Sequence, residues 1–89
     1  MKRRPQNRDF LAFVVRRFLR ARRACGFSQS ELAFQVDTTQ SNIAKFESGQ
    51  SLLSPHKLFK AAAVLGISLD EINREWAERE GIVTAEVVA

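Results

Sequence analysis

Cysteine is almost missing from this chain: Cys25 stands alone among 89 residues. A disulfide framework is therefore excluded, and a reducing compartment is implied. Long apolar runs are missing too. None approaches the ~20 residues that a bilayer-spanning helix needs. No apolar stretch with a small-residue cleavage site follows the basic N-terminus. These absences point to a cytoplasmic protein with no membrane partner. Histidine is solitary as well, at His56. No His, Cys or carboxylate pair has the spacing of a metal site or an activated nucleophile, and no glycine loop is built to cradle a phosphate. The expectation is a protein without metal or cofactor that is not an enzyme. Repeats, low-complexity segments and internal linkers are also lacking.

What remains is one small domain. A chain of this length buries only ~60% of the surface it exposes when unfolded, so its core is thin. The apolar share of 45% is ordinary. Net charge is +4, but it is unevenly spread. Residues 1–25 set nine basic side chains against Asp9 alone, a net +8. Residues 26–66 balance Lys45, Lys57 and Lys60 against Glu31, Asp37 and Glu47. Residues 67–89 carry two arginines and six carboxylates, a net −4. One end suits a polyanion and the other is repelled by it. A charge run is often no more than a solvated helix face, but this arginine density favours a polyanionic partner.

Residues 1–7 read as a basic arm, with Pro5 discouraging an earlier helix start. A first helix spans about Arg8 to Cys25, with Leu11, Val14 or Val15, Phe18, Arg22 and Cys25 on one face. Phe10 and Phe13 widen that stripe, and Gly26 ends it. Cys25 is expected to be a small buried hydrophobe. A second helix opens at Ser28 with Glu31 three residues on, a capping box, stapled by Phe27 and Leu32. Asp37 and Thr38 make the turn. Thr39 caps a third helix from Gln40 to about Ser48, with Ile43 and Phe46 inward. Ser54 and Pro55 begin a fourth helix, whose apolar residues are Leu58, Phe59, Ala62 and Leu65. Ser68 and Glu71 form a second capping box, and Leu69, Ile72 and Trp76 of a fifth helix face inward as far as Gly81. The last eight residues, Ile82 to Ala89, are apolar and β-branched and read as a strand or an interaction tail.

Two short capped helices joined by a tight turn, the second with amides and hydroxyls on its outer face, can set side chains against base edges in the DNA major groove. The spacing Gln29-x2-Leu32-Ala33-x3-Asp37-x-Thr39-x3-Ile43-x2-Phe46-Glu47-x-Gly49 resembles the lambda-repressor-like (XRE/Cro-type) helix-turn-helix family over roughly residues 18–76. Each position also has its own physical reason. Ala33 has to be small where the second and third helices cross. Position 37 needs a left-handed backbone, which the family usually meets with glycine and which Asp37 tolerates better than most residues. Thr39 presents a helix N-terminus, whose free N–H groups favour a phosphate.

The resemblance implies an all-α, five-helix domain over residues 8–80, and it assigns roles. Gln40, Ser41, Ala44 and Lys45 match base-reading positions. Gln40 suits an adenine edge and Lys45 a guanine edge, while Ser41 serves almost any base and Ala44 touches a thymine methyl or keeps the face slim. Gln29, Thr39 and Asn42 are phosphate candidates, Gln29 also steadying the first reading side chain. Lys2, Arg3 and Arg4 of the arm add salt-sensitive affinity or enter the minor groove. Arg22 and Glu47 match a structural ion pair. In an arbitrary bundle, Gln40, Ser41 and Lys45 would be an ordinary solvated face; the complete spacing favours DNA reading. The phenylalanines read as core or dimer contacts, Trp76 as a core anchor and His56 as an exposed or hydrogen-bonded residue.

The implied function is sequence-specific binding of a double-stranded DNA operator, as a repressor of transcription. A homodimer on a palindrome is expected, with the acidic fifth helix and the segment 81–89 as its contact surface. The rival reading is an antitoxin or antiactivator whose tail inhibits a protein partner, a toxin or an activator, with or without DNA binding.

Overall fold

The computed structural model describes residues 7–82. Its elements are five helices in the order α1 (Asn7–Ala24), α2 (Gln29–Val36), α3 (Gln40–Glu47), α4 (Pro55–Leu65) and α5 (Leu69–Glu80). Among the described residues there is no strand. The all-α, five-helix expectation holds, with helix limits within about a residue of those read from capping signals. Segments 1–6 and 83–89, with the arm residues Lys2, Arg3 and Arg4 and nearly all of the apolar tail, lie outside the described residues.

The core forms where all five helices turn one stripe inward. Phe18 of α1 meets Phe46 of α3 edge to face, with ring centres 5.6 Å apart, a favoured aromatic geometry. Val36 and Ile43 are fully buried around them. Ala33 is buried where α2 packs on α3, as the small-residue argument requires. Ala61, Ala62 and Leu65 bring in α4, and Ile72 brings in α5. Leu53 joins the core from the loop after α3. Sequence reading missed it because an isolated apolar residue in a loop has no periodicity.

Every helix ends in the same way. In α1 the Phe27 N–H reaches back to the Arg22 carbonyl and the Gly26 N–H to the Arg23 carbonyl. The equivalent pairs close α2, α3, α4 and α5. This motif needs a left-handed residue just past the helix. Four helices use glycine; α2 uses Asp37, at φ 64° and ψ 43°. The starts vary more. Ser28 and Glu31 form a complete capping box. Donation from the Ser28 backbone N–H, with the Ser28 hydroxyl adding to it, holds the Glu31 carboxyl below its ordinary value of 4.5. Ser68 makes the forward half of the second box, its hydroxyl accepting from the Glu71 N–H. Ser54 makes no side-chain capping bond, so α4 starts on Pro55 alone.

Two expectations need correction, those for Cys25 and Trp76, and the apolar Phe59 stands outside the core. Cys25 is exposed, its thiol turned towards the Leu65 carbonyl at 3.9 Å, because it sits in the terminal turn of α1, past the last core contact. Phe59 is 60% exposed, and Ala61 is buried in the core. Phe59 and Ala62 stand three apart and look like one stripe, but the core side of α4 is centred on Ala61, Ala62 and Leu65. Trp76 is only half-buried. It sits at the seam of α1 and α5, beside Phe10 at 5.2 Å and Phe13 at 5.4 Å, with the Arg79 guanidinium over the Phe13 ring.

Asp37→Gly removes the one strained helix end. The substitution is expected to raise unfolding free energy by about 0.5–1 kcal/mol, read as a higher urea midpoint at unchanged slope.

Candidate nucleic-acid interface

The outward face of α3 begins with Gln40 and Ser41 and continues one turn on with Lys45, all exposed, while Ala44 is half-buried between them. Ile43 and Phe46 hold the opposite face in the core. The 3.6-residue period thus separates the two sets cleanly. Thr39 caps the helix, its hydroxyl accepting from the Asn42 N–H at 3.1 Å. Asn42 in turn donates through Nδ2 to the Thr38 hydroxyl at 3.0 Å. The first turn of α3 is therefore fixed by its own side chains.

Beneath this face lies an ion pair. Arg22 donates through Nε to Glu47 Oε2 at 2.6 Å and through Nη2 to Oε1 at 3.0 Å, a two-point pairing that fixes both groups. Its Nη1 donates to the Phe27 carbonyl at 2.7 Å. The side chains are 11% and 6% exposed. The pair pins the end of α1 to the end of α3. Breaking it strands a buried charge, so its worth is chiefly in geometry. The expected Arg22–Glu47 bridge is present.

The bridge does not stop at Glu47. Gln29 donates through Nε2 to Glu47 Oε1 at 2.9 Å, and Gln40 donates through Nε2 to Gln29 Oε1 at 2.8 Å. A continuous chain of hydrogen bonds thus runs from the interior to the first outward side chain of α3. Gln29 lies beside Gln40 at the start of α2, where the resemblance required it.

Lys57 was not singled out from the sequence. It lines two shallow hollows, of about 180 Å³ and 420 Å³, that also take in Thr38 and Asn42. The larger includes Thr39. The only sequence signal was scarcity: residues 26–66 hold just three cations. The arginines of α1 are less available than their number suggests. Arg22 is buried, and Arg17 pairs with Glu75 of α5. Part of the opposite charge at the two ends of the chain is thus satisfied internally. Among the described residues, no His, Cys and carboxylate group is clustered for a metal. Nor is any helix there long and apolar enough to cross a membrane.

Comparison with known proteins agrees with this geometry. Residues 19–72 match the family model described as Helix-turn-helix. The chain belongs to the lambda-repressor-like helix-turn-helix family. The matched segment runs from the second half of α1 into α5 and includes both α2 and α3. A similar protein is the cryptic phage CTXphi transcriptional repressor RstR of Vibrio cholerae serotype O1, 31% identical over 67 residues. The match covers 75% of this chain and 60% of that repressor's length. A similar solved structure is the clp gene regulator ClgR from Corynebacterium glutamicum, with a TM-score of 0.62 and 24% identity. That likeness covers 88% of this chain and 80% of the other, and it speaks for the fold.

Arg22→Met leaves Glu47 buried without its partner. A loss of about 3–5 kcal/mol in unfolding free energy is expected. Arg22→Met combined with Glu47→Gln should lose less, which chemical denaturation of the two variants measures.

Proposed function

We propose that this helix-turn-helix protein is a sequence-specific double-stranded DNA-binding regulator of transcription, acting as a repressor. The observation that carries this reading is the outer face of α3. Gln40, Ser41, Ala44 and Lys45 line it, and Gln40 is held in place by a chain of hydrogen bonds from the interior. A solvated face with no reading role has no need for such anchoring.

In this reading α3 lies in the major groove. Gln40 meets an adenine edge and Lys45 a guanine edge. Thr39, Asn42 and Gln29 lie against the flanking phosphates, and Lys57 joins them from α4. Phosphate contacts set register and base contacts set sequence. The arm residues Lys2, Arg3 and Arg4 add charge from the N-terminus.

An eight-residue recognition helix reads few base pairs, so two copies on a palindrome complete the site. The face away from α3 suits that contact. Between α1, α4 and α5 runs an apolar groove of about 590 Å³, rimmed by the exposed Phe10, Leu52 and Phe59. No residue of α2 or α3 lines it. The acidic α5 borders it, which keeps the contact clear of DNA charge.

Selection of bound fragments from random duplex DNA tests the reading directly, and a two-fold symmetric consensus is expected. The double variant Gln40→Ala/Lys45→Ala should lose preference for that consensus while keeping weak, salt-sensitive binding to random duplex. Equal losses on both DNAs would contradict the role given to these residues. Lys57→Ala should weaken binding to every duplex alike and flatten the salt dependence by about one unit of slope.

A further inference from the structure

From Phe10 to Ala24, α1 carries Arg16, Arg17, Arg20, Arg22 and Arg23 and no carboxylate. Two of these arginines have partners: Arg22 holds Glu47, and Arg17 holds Glu75. Arg16, Arg20 and Arg23 are exposed and have no ion-pair partner among the described residues. They stand four and three residues apart, so they form one stripe along the helix. Val15, Phe18 and Arg22 mark the side of α1 that faces the core and α3. At 3.6 residues per turn, the stripe lies about 130° around the helix from them. α3 turns Phe46 towards α1, and Gln40 and Ser41 outward. The stripe and the outer face of α3 therefore look in different directions. None of the three arginines lines the apolar groove between α1, α4 and α5 either.

A solvated stripe of this kind works against its own helix. Like charges four residues apart repel and cost helix stability. Arg23 in the last turn gains from the helix dipole, but Arg16 and Arg20 lie too far in. We propose that the stripe docks a partner protein through an acidic helix, one that presents carboxylates at the same four- and three-residue spacing. α5 already shows the mode, since it lies along α1 and gives the Glu75 carboxylate to Arg17. α5 also selects the occupant. It borders the stripe, with Glu71 in a hollow beside Arg20 and Glu80 in another beside Arg16. It carries five carboxylates and two arginines. A nucleic-acid duplex is much wider than a helix, and its phosphates would be pressed against those carboxylates. A helix laid along α1 is narrow enough to meet the arginines alone. Opposite charges facing one another in register give specificity and a faster encounter. The docking face is independent of the DNA-reading role, and both faces can be filled at once.

Two blocked synthetic peptides of one composition serve as probes. One carries glutamates at positions i, i+4 and i+7 of a helix, and the other has them scattered around it. Wild type should bind the striped peptide on the order of tenfold more tightly than the scattered one. The triple variant Arg16→Gln/Arg20→Gln/Arg23→Gln should lose that difference. It removes like-charge repulsion, so its denaturation midpoint should not fall. Equal binding of the two peptides by wild type overturns the inference, because bulk attraction between opposite charges then explains it. So does an undiminished preference in the triple variant. A labelled duplex of random sequence forms the second arm. At moderate salt, where distant charges are screened, wild type and triple variant should hold it to within about threefold. The striped peptide should not displace it. A larger loss would give the stripe to nucleic acid, and displacement would put the peptide on the α3 face; either overturns the docking face. A wild type that ignores every duplex sinks the proposed function instead, and the peptide arm still decides this one.

Discussion

The buried pair of Arg22 and Glu47 is the constraint around which the domain is arranged. Arg22 sits two residues from the end of α1, and Glu47 is the last residue of α3. Their two-point contact sets the distance between those ends. The third donor of Arg22, on the Phe27 carbonyl, fixes the loop that delivers α2. The Arg22 carbonyl accepts from the N–H of the same Phe27. One arginine thus closes the end of its own helix, orients the next and holds the third. Removing two ions from water is costly, and a well-packed apolar pair often serves stability as well. An apolar pair cannot pass a hydrogen-bond direction outwards to Gln29.

The helices it organises are too short to stand alone. α2 and α3 have eight residues each, below the length at which an isolated helix persists in water. Their stability comes from buried faces and from well-made ends. Leu32, Ala33 and Val36 on one and Ile43 and Phe46 on the other supply the faces. Ser28 and Thr39 supply the starts. Asp37 supplies the turn between them at some backbone strain, being the one non-glycine residue with positive φ among those described.

Most of this was legible in the residues, for reasons that differ from element to element. Caps and terminal glycines act through adjacent residues, so Ser28, Thr39, Gly26 and Gly66 gave helix limits directly. Ala33 and Asp37 declared themselves through backbone requirements that few residue types meet. Side chains whose fate depends on which neighbour arrives were harder. Phe59 and Ala61 are two residues apart on α4, and only the approach of the other helices selects Ala61. Cys25 looked buried by residue type and by helical spacing, but it lies in the hydrogen-bonded closing turn just past α1, where the side chain faces out. The charge asymmetry was plain in the sequence. Its partial cancellation between Arg17 and Glu75 was not, because 58 residues separate the partners. Nor could residue spacing give the direction of the chain from Glu47 to Gln40, which arises where three helices meet.

That direction bears on the energetics of recognition. A long polar side chain immobilised at an interface costs about 0.5–1.5 kcal/mol in lost rotamer freedom. Gln40 is exposed, yet its amide is engaged by Gln29 in the free protein. Gln29 is engaged in turn by a carboxylate that a guanidinium holds at two points. Each link is weak alone, but a chain ending on a buried ion pair has little freedom to rearrange. In the proposed DNA-reading role, much of the ordering cost of Gln40 is thereby met during folding rather than during binding. In that role, offering its second N–H elsewhere requires Gln40 to break from Gln29.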